Sequence, residues 1–203
     1  MNSRLSASQA NETQTDGHGH GTHCAGTVGG STYGVAKRAN LVGVKVLGND
    51  GRGPNTGVIS GIQWATNNAV TNGRAARSVI SLSLGGVVSA ATNAAARAAY
   101  NAGLTVVVAA GNEDQLASNV SPASEATAIT VAASDTGDAR SIWPGGFASN
   151  YGAAVDIFAP GTAILSAGIA SDTASVSNSG TSMVSLSFLL LTTIKSCRGT
   201  SYS

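Results

Sequence analysis

Short apolar runs rich in β-branched residues alternate along this chain with Ala- and Gly-rich stretches at helical spacing. That order constrains the fold more than any other feature. Residues 41–47, 78–84, 104–110 and 128–133 read as strands, with 155–158 a short fifth, bounded by Gly, Asn and Asp turn signals. Between them, Thr56 to Asn72 places Val58, Ile62, Ala65 and Ala69 on one helical face and ends at Asn72-Gly73, a C-cap signal. Ala90 to Ala102 is an Ala-rich helix stopped by Gly103, and residues 21–28 read as the start of a buried helix. Strand, helix, strand in sequence implies right-handed parallel crossovers, hence an α/β fold whose sheet is covered on both faces.

Such layers must pack through small side chains, and the composition supplies them. Apolar residues are 42% of the 203, aromatics only 4%, and there are 26 glycines. The length suits one domain with a real core. A net charge of +1 gives no reason to expect nucleic acid or an anionic membrane as partner. The late apolar run Leu186 to Leu191 is too short to span a bilayer, and Met1 to Ser8 lacks the apolar core of a signal peptide. Two cysteines, Cys24 and Cys197, are too few for a disulfide framework. Either they pair, or Cys24 is a small buried thiol.

In folds of this kind ligands gather at the carboxyl ends of the strands. Ser83-Leu84-Gly85-Gly86 and Ala109-Ala110-Gly111-Asn112 both fall there. His20 opens a small-residue helix, and Ser182 sits in the tight turn Gly180-Thr181-Ser182-Met183. Serine, histidine and a side-chain amide supply nucleophile, base and oxyanion donor for acyl transfer. Zinc chemistry at His18, His20, His23 and Cys24 would need a second, separated ligand pair, which the sequence lacks. Ser83-Leu84-Gly85 would offer an extended edge to a substrate strand, with Gly51-Arg52-Gly53 opposite.

The stretches Asp16-Gly17-His18-Gly19-His20-Gly21-Thr22-His23-Cys24-Ala25-Gly26, Ser81 to Gly86, Ala109 to Asn112, Ser121-Pro122-Ala123-Ser124 and Gly180 to Met183 together resemble the subtilisin-like serine proteases. The cysteine after the second histidine points to the proteinase K branch. The resemblance implies a three-layer α/β fold with a mainly parallel central sheet. It also implies an extracellular, monomeric endopeptidase that cleaves polypeptides with no cofactor in the chemistry. By it His20 is the general base, Ser182 the nucleophile and Asn112 the oxyanion donor, while His23 is structural. Ser83, Leu84, Gly85, Ala109, Ala110, Gly111 and Gly51 would line the substrate cleft. A structural calcium would rest on the carbonyls of Ala126 and Ala128 and on Asp156, with waters completing its shell.

The chain also departs from that family. Its triad runs Asp, His, Ser, yet no Asp-Thr-Gly strand precedes His20. Met1 to Thr15 holds one acid, Glu12, and Asp16 matches a loop aspartate instead of the triad member. After Ser182 the family's Pro-His helix is replaced by Val184 to Ser203, and Ile142-Trp143-Pro144-Gly145-Gly146 looks inserted. The expectation is a partial catalytic domain over 16–183, between a polar remnant 1–15 and a divergent tail 184–203. It would lack the first core strand and the normal helix after the serine. Such a chain is either a serine endopeptidase or an inactive fragment or pseudo-protease retaining a peptide-binding edge.

Overall fold

A computed structural model describes residues 15–184. Glu12, Cys197 and the apolar run Leu186 to Leu191 therefore lie outside the described residues. The helices are α1 (His20–Gly29), α2 (Asn55–Thr71), α3 (Ala90–Asn101) and α4 (Thr181–Val184). The strands are β1 (Val79–Leu82), β2 (Gly86–Val87), β3 (Thr105–Ala109), β4 (Val120–Ser121), β5 (Ile129–Ser134), β6 (Ile142–Trp143), β7 (Phe147–Ala148), β8 (Ile157–Pro160), β9 (Ile164–Ala167) and β10 (Ser175–Asn178).

The main sheet has the order β1-β3-β5-β8 and is parallel throughout. Strand alternation sends Val106, Val108 and Ala110 into one core with Val58 and Ile62 of α2 and Ala95, Ala96 and Ala99 of α3. The intervening Val107 joins Val131, Ala133 and Val184 of α4 on the other face. Helices thus flank a parallel sheet, as the strand–helix order predicts. Each fully buried valine contributes roughly 1.5–3 kcal/mol, so the sheet is held by many modest increments. No described helix is long and apolar enough to cross a membrane.

The run 41–47 departs from its predicted strand: it joins no ladder. A ladder needs a neighbour, and the described sheet ends at β1 with no strand beyond it. The run instead lies along helices. Leu41 packs with Cys24, Val28 and Met183, while Val44 and Val46 lean on α2 at Gly61. The apparent insertion forms a hairpin in which β6 pairs with β7, Trp143 facing Phe147. Gly145 and Gly146, with φ of 88° and 81°, make its turn. Trp143 Nε1 donates to Thr162 Oγ1 at 3.1 Å, anchoring the hairpin to the segment after β8.

Two features fix α1. Its first turn is capped from outside by Asp16. Oδ1 accepts from the N–H of His18 (3.0 Å) and Gly19 (2.8 Å), and Oδ2 from the N–H and hydroxyl of Thr22, both at 2.8 Å. Burial alone would raise the Asp16 carboxyl. The donors from Gly19, Thr22 and His18 outweigh that and hold it at about 2. At the other end of α1, Gly26 lets the helix touch the β9–β10 hairpin. A Cβ there would overlap Ser166 Oγ and stand 2.9 Å from Ala167 N.

Asp16→Asn is expected to lower stability by about 1–2 kcal/mol at neutral pH, the usual scale of a lost cap. The folded carboxyl lies below the unfolded value of ~3.9, so its contribution is present above that pH and is lost as pH falls toward 2. Urea melts of both proteins from pH 2 to 7 should therefore converge at the acid end. Gly26→Ala is expected to destabilise the chain by about 1–3 kcal/mol through overpacking, measured in the same melts.

Candidate active site

Sequence-distant residues meet at the carboxyl ends of β1 and β3. His20, Asn112 and Ser182 line one cleft of about 600 Å³, walled on one side by Ile169, Ala174 and Val176 of the β9–β10 hairpin. Ser182 stands in the first turn of α4. Its main-chain carbonyl accepts from Ser83 Oγ (2.9 Å) and Cys24 Sγ (3.6 Å), which tie the turn to β1 and α1. The Ser182 hydroxyl donates to Ser83 O at 3.3 Å. The Ser182 turn and the Ser83 edge are thus in direct contact.

Asn112 follows β3 and is oriented by Thr181. The Thr181 N–H donates to Asn112 Oδ1 at 2.9 Å and its hydroxyl to the same oxygen at 3.0 Å. Thr181 Oγ1 in turn accepts from Gly111 N at 3.1 Å. Because two donors claim the carbonyl end of the amide, Nδ2 is left as the donor presented to the cleft. An NH₂ group held this way is what a developing oxyanion requires.

His20 heads α1. Burial, then the neighbouring charges of His18 and His23, push its pKa below the ordinary histidine value, against an opposing pull from Asp16. The ring is therefore neutral at neutral pH and able to accept a proton. Among the described residues no carboxylate lies within ion-pair distance of His20, and Asp16 is spent on capping α1. Cys24 Sγ lies 3.9 Å from His20 Nε2, an arrangement that invites comparison with a Cys–His pair. Cys24 is a free, buried thiol, and burial pushes it up to about 11, so it stays protonated and is no nucleophile. His23 is fully buried, and its Nε2–H donates to Ile164 O at 3.0 Å, bracing α1 against β9.

The remaining predicted positions are distributed around this centre. Ala109 and Ala110 are buried at the end of β3, Leu84 packs on the α2–α3 core, and Gly85 faces Val120. Gly51, with φ of 74°, lies against the His18 ring. Asp156 Oδ2 accepts from Thr130 N at 2.7 Å, beside the strand that follows Ala126 and Ala128. Among the described residues no group of three or more His, Cys, Asp or Glu side chains is placed to hold a metal ion. Sequence reading missed Thr181 and Asn150. The first had a signal, its place between Gly180 and Ser182.

The chain is similar to known proteins in both sequence and fold. The sequence model of the Subtilase family (peptidase S8) matches residues 1–203. A cuticle-degrading serine protease of Arthrobotrys oligospora is 52% identical over 172 residues, covering 85% of this chain and 40% of the relative. A cuticle-degrading protease of Metarhizium anisopliae is 53% identical over 169 residues, covering 83% of this chain and 42% of the relative. The chain thus spans about two fifths of the length of these curated relatives. A solved structure, that of a cold-adapted subtilisin-like serine proteinase, superposes with a TM-score of 0.83 at 39% identity. It covers 97% of this chain and 69% of that one. With a family model matched from end to end and a shared fold at this level of identity, the chain belongs to the subtilase family.

Proposed function

We propose that this chain carries the nucleophile and base of an extracellular serine endopeptidase that cleaves polypeptides through an acyl-enzyme on Ser182. The observation that supports this most is the convergence of His20, Asn112 and Ser182 on one cleft. Ser182 Oγ releases Ser83 O and attacks the substrate carbonyl carbon while neutral His20 takes the hydroxyl proton. Asn112 Nδ2 donates to the oxyanion. His20 then gives the proton to the leaving amine, and water hydrolyses the ester with His20 again as base. The substrate strand would pair with the Ser83-Leu84-Gly85 edge, and the unit would act as a monomer.

A second reading, a pseudo-protease that binds peptides without cutting them, is favoured by one observation: His20 has no carboxylate partner among the described residues. In subtilisin the triad aspartate is worth about 3 × 10⁴ in turnover, or roughly 6 kcal/mol. Labelling with a fluorophosphonate separates the two readings. The endopeptidase reading expects labelling of Ser182, none in Ser182→Ala, and a rate about 10²–10³ lower in Asn112→Ala. A folded chain that binds peptides but never labels belongs to the second reading, and one that does neither excludes both.

The same reading includes a structural calcium on the carbonyls of Ala126 and Ala128 and on Asp156. This donor set is all hard oxygen, as calcium prefers, and the Thr130 N–H anchors the carboxylate. The ion would cross-link chain segments and supply no chemistry at Ser182. Calcium at 100 times its Kd is expected to stabilise the fold by about 2.7 kcal/mol. Thermal melts with calcium and with EGTA should differ for the natural chain and coincide for Asp156→Asn.

A further inference from the structure

The loop that presents Asn112 is held by a side chain outside the catalytic groups. Asn150 is 0% exposed, and every hydrogen-bonding position of its amide is filled. Oδ1 accepts from Glu113 N and Gln115 N, both at 3.0 Å. Nδ2 donates to Ala110 O at 2.9 Å and to Glu113 Oε2 at 2.7 Å. The Asn150 N–H donates to Gly111 O at 2.9 Å. These partners lie on both sides of Asn112, whose own N–H donates to Glu113 Oε2 at 3.0 Å. The loop wraps the amide closely. Gly111 has a φ of 102°, and a Cβ there would overlap Asn150 Nδ2 and stand 2.6 Å from Glu113 Oε2.

Two clamps therefore set the position of Asn112. Thr181 fixes which end of its side chain faces the cleft, and Asn150 fixes the backbone that carries it. An oxyanion donor works only if it is already in place when charge develops, and a misplacement of ~1 Å costs about 10²-fold.

We propose that Asn150 is a positioning residue of the acyl-transfer site, acting through the 110–115 loop on the Asn112 donor. This rests on the reading of Asn112 as oxyanion donor given above. Asn150→Asp is the informative change, since it keeps the shape but sets an acceptor against Ala110 O and Glu113 Oε2. The full chain would be labelled with a fluorophosphonate as the natural protein, as Asn112→Ala, as Asn150→Asp and as the double variant. Asn150→Asp is expected to slow the first-order labelling step about 10- to 10²-fold with little change in probe affinity. In the double variant it should add nothing to the effect of Asn112→Ala. The same slowing factor in both backgrounds, or an undiminished rate in folded Asn150→Asp, overturns the proposal. Should Asn150→Asp not fold, Asn150→Ser carries the same comparison.

If the natural chain is folded but does not label, the acyl-transfer reading fails, and amide exchange decides the positioning claim alone. Slow exchange at Glu113 and Gln115 that becomes fast in the Asn150 variant, with shifted Asn112 side-chain amide signals, supports it. Unchanged exchange and unchanged Asn112 signals overturn it.

Discussion

Strand β3 is buried on both faces, and the rest of the structure hangs on that constraint. Its valines alternate between the helical layer of α2 and α3 and the layer of α4, so neither its register nor its height in the sheet can slip without exposing apolar surface. A strand fixed in this way delivers its carboxyl end to a set place, and Asn112 is what it delivers. The alanines of α3 that meet β3 matter for the same reason, because small side chains let the layers approach closely.

Around that fixed point, polar contacts do the finer placement. Each catalytic candidate is held by residues from another part of the chain: Ser182 by Ser83 and Cys24, Asn112 by Thr181, and the His20 helix by Asp16 and by His23 on Ile164. These bonds are part-buried and each joins segments distant in the chain or caps a helix, so an unmade partner would be costly. The Arg97–Glu125 pair does similar work farther out. Both guanidinium contacts fall on the 3%-exposed Glu125 carboxylate at 3.1 and 2.7 Å, fastening the 121–127 loop to α3.

Much of this was legible in the sequence because it is local or periodic. The helical face of α2, the Ala-rich run of α3, the apolar β3 and the glycine stops are local patterns. The motifs around His20, Asn112 and Ser182 were legible for a different reason: they resemble a family whose site is built from those words. What escaped depends on partners far along the chain. Residues 41–47 have the composition of a strand, but a strand exists only beside another, and the pattern says nothing about neighbours. Asn150 is an ordinary loop residue in sequence, and its role arises only where the 148–150 segment meets a loop nearly forty residues earlier. Asp16 reads as a loop aspartate, which it is, but its hold on α1 depends on where the Gly19 and Thr22 donors fall in space. Ile142 to Gly146 read as an insertion, and Pro144-Gly145-Gly146 was the turn signal that could have revealed a hairpin.

The Asp16 cap has a consequence for how the site meets changing acidity. Its carboxyl stays ionised down to about 2, while burial lowers the pKa of the His20 ring that the capped helix carries. The four donors that hold the carboxyl low also keep the turn beneath the imidazole in shape until strongly acid conditions, so the cap is insensitive to mild acidification.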